Sequence, residues 1–282
     1  MLDALSAELL KLRRHKATWF LVWLYPILFT IIFTLSTAVG MAGLEPPDRQ
    51  NLASWLAQTA IPWRIPGNGL GRYMMAAFIA LVFAGEYGWN TWKLIVPHRS
   101  RSSLIAAKYG AVILLFLAAF VLSAFISLLG TWADDVLTGD IVPAGIGAAS
   151  LLRVHGQAAL SALSPFLVTL GYASLAAVLT RSTLAGLVIA LVAVTAEQLV
   201  LAFGPALAMK APAIAWVLYQ ALPGYHLDNL AAWTQQGAGL HTPFPGGGVV
   251  AWSWPASLAA VAAWLLILIG GTFAAFRRQD IN

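Results

Sequence analysis

Five stretches of this chain, residues 19–41, 109–132, 158–179, 182–205 and 255–276, are almost continuously apolar, and each is 22 to 24 residues long. A hydrocarbon core about 30 Å thick is crossed by roughly 20 helical residues rising 1.5 Å each. Each run therefore predicts a membrane-spanning helix. A soluble fold cannot house them all, because its surface keeps about a quarter of residues charged. Here 10% of 282 residues are charged and 60% are hydrophobic, with mean hydropathy +0.79. The expected fold class is all-α: a polytopic membrane protein whose residues 1–282 form one transmembrane domain.

A sixth run, 69–85, is shorter and carries Arg72 near one end. It spans if Arg72 snorkels to the interface, and charge placement argues that it does. With the N-terminus inside, the cytoplasmic segments hold Lys11, Arg13, Arg14, Lys16, Lys93, Arg99, Arg101, Lys108, Arg181, Arg277 and Arg278, which is 11 of 16 cations. Arg49, Arg64, Arg72, Arg153 and Lys210 fall on the longer outer segments. That is the positive-inside pattern, with both termini cytoplasmic. Without the sixth span, the basic loop at 93–108 and the basic N-terminus would face opposite sides. Tryptophans agree: Trp19, Trp23, Trp89 and Trp92 fall at the inner interface. Trp55, Trp63, Trp132, Trp216, Trp233, Trp252 and Trp254 fall near the outer one, and Trp264 alone sits well inside a span. The pI near 9.7 thus reflects topology rather than a nucleic-acid face. The first apolar run exceeds the ~7–15 residues of a signal h-region and follows a helical segment, so no cleavable signal is expected.

Several chemistries lack their residues. Cysteine is absent, which removes disulfides, thiolate metal sites and thiol catalysis. No phosphate-cradling G-x-x-x-x-G-K-[ST], zinc-binding H-E-x-x-H or nucleophilic G-x-S-x-G occurs, and the five histidines are scattered. No catalytic residue and no metal site is expected. Ser164-Pro165 reads as a helix kink.

Two regions are neither span nor simple loop. Leu2, Leu5, Leu9 and Leu12 share one helical face within residues 1–18, flanked by Lys11, Arg14, His15 and Lys16. This suits an amphipathic helix lying on the cytoplasmic leaflet; an ordinary helical tail is the alternative. The outer segment 206–254 contains an apolar run at 211–222, too short to cross but suited to a re-entrant or interfacial helix. An amphipathic piece at 227–233 follows, and Pro243, Pro245 and the glycines to Gly248 make a flexible return.

The segment 86–108 reads EYGWNTWKLIVPHRSRSSLIAAK. Trp89, Trp92, Leu94 and Ile95 predict a short amphipathic helix that Pro97 ends. Arg99 and Arg101 follow, and Ser102 or Ser103 caps the next helix. Such a helix, parallel to the membrane and presenting aromatic and basic side chains to the cytosol, suits docking on a soluble partner. Retention charge alone explains Arg99 and Arg101, but not the Trp89/Trp92/Leu94 pattern. At membrane depth only Glu197, beside Gln198, is clearly ionisable, which by default suggests function. It either meets a cationic group on an outer translocation path or pairs with a neighbouring helix, a headgroup, Lys210 or Arg153. Ser123, Ser127, Ser161, Ser164 and Ser174 are expected to bond backbone carbonyls or let helices approach.

In this segment the chain resembles permease subunits of ABC-2 type ABC exporters. The resemblance rests on Glu86, Gly88, Thr91, Leu94, Pro97, Arg99, Ser100, Arg101, Leu104 and Lys108, with Trp89-Asn90 interrupting the usual Gly-Thr pair. Glu8, Lys11 and Arg13 look like the family's elbow helix, Leu222-Pro223-Gly224 like its external hairpin, and residues 277–281 like its C-terminus. The resemblance implies that Glu86, Gly88, Trp89, Thr91, Trp92, Leu94, Pro97, Arg99 and Arg101 build a coupling helix seated in a separate ATPase subunit. That subunit would carry ATP and Mg; this chain would bind no cofactor and would not itself be an enzyme. A second permease copy or a homologue completes the complex, in a bacterial cytoplasmic (inner) membrane. The apolar spans suit a hydrophobic or amphipathic substrate such as a drug, peptide antibiotic or lipid, with Glu197 and Gln198 on its path. The rival readings are an ATP-independent carrier using Glu197 and a membrane-embedded enzyme.

Overall fold

The computed structural model describes residues 2–44, 50–88, 91–244 and 248–280. In chain order the helices are α1 (Leu2–Arg13), α2 (Lys16–Leu21), α3 (Leu24–Met41), α4 (Leu52–Thr59), α5 (Gly69–Gly88), α6 (Trp92–Ile95), α7 (Arg101–Thr138), α8 (Ala148–Thr180), α9 (Thr183–Ala208), α10 (Pro212–Ala221) and α11 (Pro223–Gln236). The strands β1 (Thr242–Phe244) and β2 (Gly248–Val250) precede α12 (Trp254–Arg278). Among the described residues, six helices are long and apolar enough to span a membrane: α3, α5, α7, α8, α9 and α12. The chain is an all-α polytopic membrane protein.

The helix ends differ from expectation for local reasons. The first long helix starts at Leu24 rather than 19, because the chain breaks after α2 and Pro26 suits only a first turn, where its missing N–H costs nothing. The caps predicted at Ser102 or Ser103 are inside α7; Ser100, in extended backbone, is the cap, its Oγ accepting from the Ser103 amide at 3.3 Å. α7 and α8 run 38 and 33 residues, about 57 and 50 Å, and so project beyond a 30 Å core. Arg181, in the left-handed region at φ 54°, ends α8. α9 starts at once, close enough for Gly186 to lie against the Ala177 backbone.

α5 has the lowest hydropathy of the six, yet α5 and α8 are the most enclosed. Met75, Phe78, Ile79 and Phe83 of α5 meet Ile105, Val112 and Phe116 of α7 and Leu170, Ala173 and Ala177 of α8 in one buried cluster. A helix surrounded by protein can keep polar residues that lipid would reject. α3, α9 and α12 lie on the outside and leave most of their surface for lipid.

The two ends of the bundle are built differently. At the basic end, α1 packs Leu5, Leu9 and Leu12 on the core while Leu2 stays exposed. At the other, α10, α11 and the strands enclose a cluster of Tyr219, Tyr225, Phe244 and Val250. The flexible return expected at 243–248 is instead partly a hairpin, with Thr242 opposite Val250 and Phe244 opposite Gly248. Trp216 packing on Gly248 and Phe244 holds it in place. Pro245, Gly246 and Gly247 lie outside the described residues.

Candidate functional site

The 86–108 segment is built around one carboxylate. Glu86, at the end of α5, accepts hydrogen bonds from Lys11 of α1 (2.6 Å) and Lys108 of α7 (2.9 Å) on Oε1. On Oε2 it accepts from the Thr91 hydroxyl (3.2 Å), and the Thr91 amide donates to its carbonyl (3.1 Å). Lys108 also donates to the Val82 carbonyl at 2.7 Å and pairs with Glu8 at 3.1 Å, while Lys11 pairs with Glu8 at 2.6 Å. Two cations and two carboxylates thus cancel where three helices, α1, α5 and α7, meet. Burial pulls the Lys11 pKa down, but Glu8 and Glu86 outweigh that and raise it, so Lys11 keeps its charge.

Trp92 does not face the cytosol as expected. It is 3% exposed, packed on Phe276 of α12 (ring centroids 4.5 Å) and Tyr87 (5.8 Å), with the Lys108 ammonium 5.2 Å from its ring. A four-residue helix has one inward face, and the largest apolar side chain takes it, gaining a cation–π contact. Lys93, Leu94 and Pro97 hold the outward face, with Leu94 72% exposed. Trp89 lies outside the described residues, and Gly88 ends α5 on the surface. Arg99 reaches back to Asp3 of α1 at 3.1 Å. Arg101, expected among the docking residues, donates to the carbonyls of Phe276, Arg277 and Gln279 at 3.3, 2.8 and 2.5 Å. It caps the C-terminal end of α12, where a cation also meets the helix dipole. Gln279 is tied in turn to Tyr87 and the Val178 carbonyl.

At the hairpin end, Arg72 does not snorkel. It is 4% exposed and donates from Nη1 to Glu197 Oε2 at 2.6 Å and from Nε to the Thr169 hydroxyl at 2.8 Å. Tyr172 donates to the other Glu197 oxygen. Glu197, 1% exposed, therefore pairs with a neighbouring helix rather than with Lys210 or Arg153. The two charges meet at 2.6 Å between α5 and α9, so each offsets part of the cost of burying the other. Gln198, one residue on, lines a cavity of about 840 Å³ between α4, α5, α8, α9 and α11. Among the serines, Ser123, Ser161 and Ser174 bond carbonyls of their own helices, and Ser127 bonds the Gln58 carbonyl. Among the described residues, no cluster of histidines and carboxylates is placed to hold a metal ion.

A family model described as ABC-2 family transporter protein matches residues 4–197, more than half of the chain. The chain belongs to the ABC-2 family of transporter proteins. Comparison with curated proteins and with solved structures finds no match. The matched region contains the Glu86 network and ends on Glu197, so this ABC-2 family protein holds both polar centres within it. It is the permease component of an ABC transporter and a multi-pass membrane protein. Sequence reasoning missed the partners Thr169 and Tyr172 and the pairing of Arg72 with Glu197. One signal was present: Glu197 is the sole ionisable residue of α9, facing a run whose own misfit was Arg72.

Proposed function

We propose that this permease works with a separate ATPase subunit, which binds ATP and Mg, to export a hydrophobic or amphipathic substrate. The observation that carries the reading is the anchoring of α6. Its inward face is locked by Trp92 to α12, and the preceding turn is locked by Glu86 to α1 and α7. A force applied to the outward face at Lys93, Leu94 and Pro97 passes to four elements at once rather than bending a loose loop. ATPase closure would tilt the spans through these contacts and alternate access to the path. Two copies, or one copy and a homologue, complete the transporter. The basic end faces the cytoplasm of a bacterial cell, as the positive-inside rule directs.

Glu86, Thr91 and Arg101 act here by holding the coupling segment, and Leu94, Lys93, Pro97 and Arg99 by offering it. Glu197 is engaged by Arg72 and Tyr172, which supports an ATP-driven transporter over a carrier that must release and bind a cation at that carboxylate. The path role falls to Gln198 in the cavity wall. The test is Leu94→Asp: it should release the ATPase subunit from the purified complex while the permease inserts normally. If the complex survives intact, α6 is not the coupling element.

A further inference from the structure

The cavity at the hairpin end combines features that together describe a ligand. Its wall is mostly apolar, from Leu56, Trp63, Ala162, Leu201 and Leu227, yet Arg64, Arg72 and Arg153 all line it. Arg72 is decisive. Its Nε and Nη1 are used by Thr169 and Glu197, while the buried Nη2 has no hydrogen-bond partner. A buried guanidinium N–H left without an acceptor costs about 1–3 kcal/mol or more, unless something from the cavity supplies one. Thr169 and Glu197 hold the guanidinium at Nε and Nη1, so the remaining Nη2 edge is held in place. The one carboxylate in the wall is Asp228. Burial raises its pKa, Arg72 pulls it down and Glu197 pushes it up, with a net rise.

We propose that this cavity binds an amphiphile through its anionic group, a phosphate or carboxylate, held by the free edge of Arg72 with Arg153 beside it while the apolar body lies on the Leu56–Trp63–Leu201 wall. This rests on the reading of the chain as a permease for amphipathic substrates and narrows that class to anionic members. The same chemistry is offered by a membrane lipid headgroup and by an amphiphile arriving from water.

The test is binding of radiolabelled dodecyl phosphate to the full chain in phosphatidylcholine nanodiscs, with no ATPase present. Saturable binding of one dodecyl phosphate per chain is expected. Dodecyltrimethylammonium and inorganic phosphate at equal concentration should not compete. Arg153→Gln, on an exposed position, should weaken binding about tenfold. Arg72→Gln/Glu197→Gln, which removes the buried pair without stranding either charge, should abolish it. Weaker dodecyl phosphate binding in phosphatidylglycerol nanodiscs identifies a lipid as occupant, and unchanged binding identifies a water-borne amphiphile; both support the site. Equal binding of the cationic amphiphile, or unaltered affinity in both variants, overturns it. Such a failure leaves ATPase association untouched, and loss of ATPase association leaves this measurement untouched, so the two readings fall separately.

Discussion

Arg72 and Glu197 are 125 residues apart in sequence and 2.6 Å apart in space. Removing one member of a buried pair leaves an uncompensated charge, at a typical cost of ~3–5 kcal/mol, whereas replacing both is often close to neutral. Arg72→Gln should therefore lower stability by about that amount, and Arg72→Gln/Glu197→Gln should recover most of it, read as thermal unfolding in detergent. If both variants unfold alike, the pair does not act as a unit. His226 provides the second prediction. Fully buried in α11, it lies within hydrogen-bonding distance of the Gln220 carbonyl through Nε2 (2.8 Å) and of Ser257 through Nδ1 (3.1 Å), and Asn229 donates to Ser257 at 2.7 Å. Since a carbonyl only accepts, Nε2 carries a proton, and in the neutral ring Nδ1 receives the Ser257 hydroxyl. Burial lowers its pKa from the ordinary 6.5 more than the Gln220 carbonyl raises it. The unfolded state then binds more protons below pH ~6.5, so stability contributed by His226 is present above that value and is lost as pH falls. Protection of the α11 amides against hydrogen exchange, measured relative to the intrinsic exchange rate at each pH, should fall below pH ~6.5 and become less pH-sensitive in His226→Gln.

At the scale of elements, α6 separates two kinds of residue that look alike in sequence. Trp92 and Leu94 both appear as the apolar side of a short amphipathic helix, yet one faces α12 and the other faces solvent. Period alone cannot decide this over a single turn, because the buried face depends on where α12 and Lys108 sit. The expected consequences diverge. Trp92→Ala should cost ~3–5 kcal/mol as a large buried side chain, while Leu94→Ala should stay within about 0.5 kcal/mol and still weaken ATPase binding. Paired thermal-unfolding and pull-down measurements check both. α5 teaches the complementary lesson. Its low hydropathy made it the weakest span on sequence grounds, and charge alternation argued for it. The structure supplies the reason: protein surrounds it, so Arg72 and Glu86 find partners on α9, α1 and α7. The residue identities of the 86–108 segment were readable in order, but the directions of Trp92 and Arg101 depend on the distant C-terminal end of α12. The strands near 242–250 escaped notice because three-residue strands leave too short an alternation to distinguish from a loop.

Over the whole molecule, the six long helices and the clustering of cations at one end were readable because both follow from the bilayer as solvent. The ion pairs at the two ends were not, since a charge within an apolar run is tolerated only beside a partner and the partner's position is set by the tertiary fold. The resulting picture is a bundle with an ion-paired basic end, a cavity at the other, and α5 between them carrying Glu86 at one end and Arg72 at the other. A permease coupled to a separate motor needs such a connection. The direct measurement is purification of tagged wild-type and Leu94→Asp chains from native membranes, with mass spectrometric identification and ATP-driven transport after reconstitution. A P-loop ATPase should accompany the wild-type chain stoichiometrically, support ATP-dependent transport, and be lost with Leu94→Asp. Transport by the purified chain alone, without ATP or an ATPase, would contradict the account.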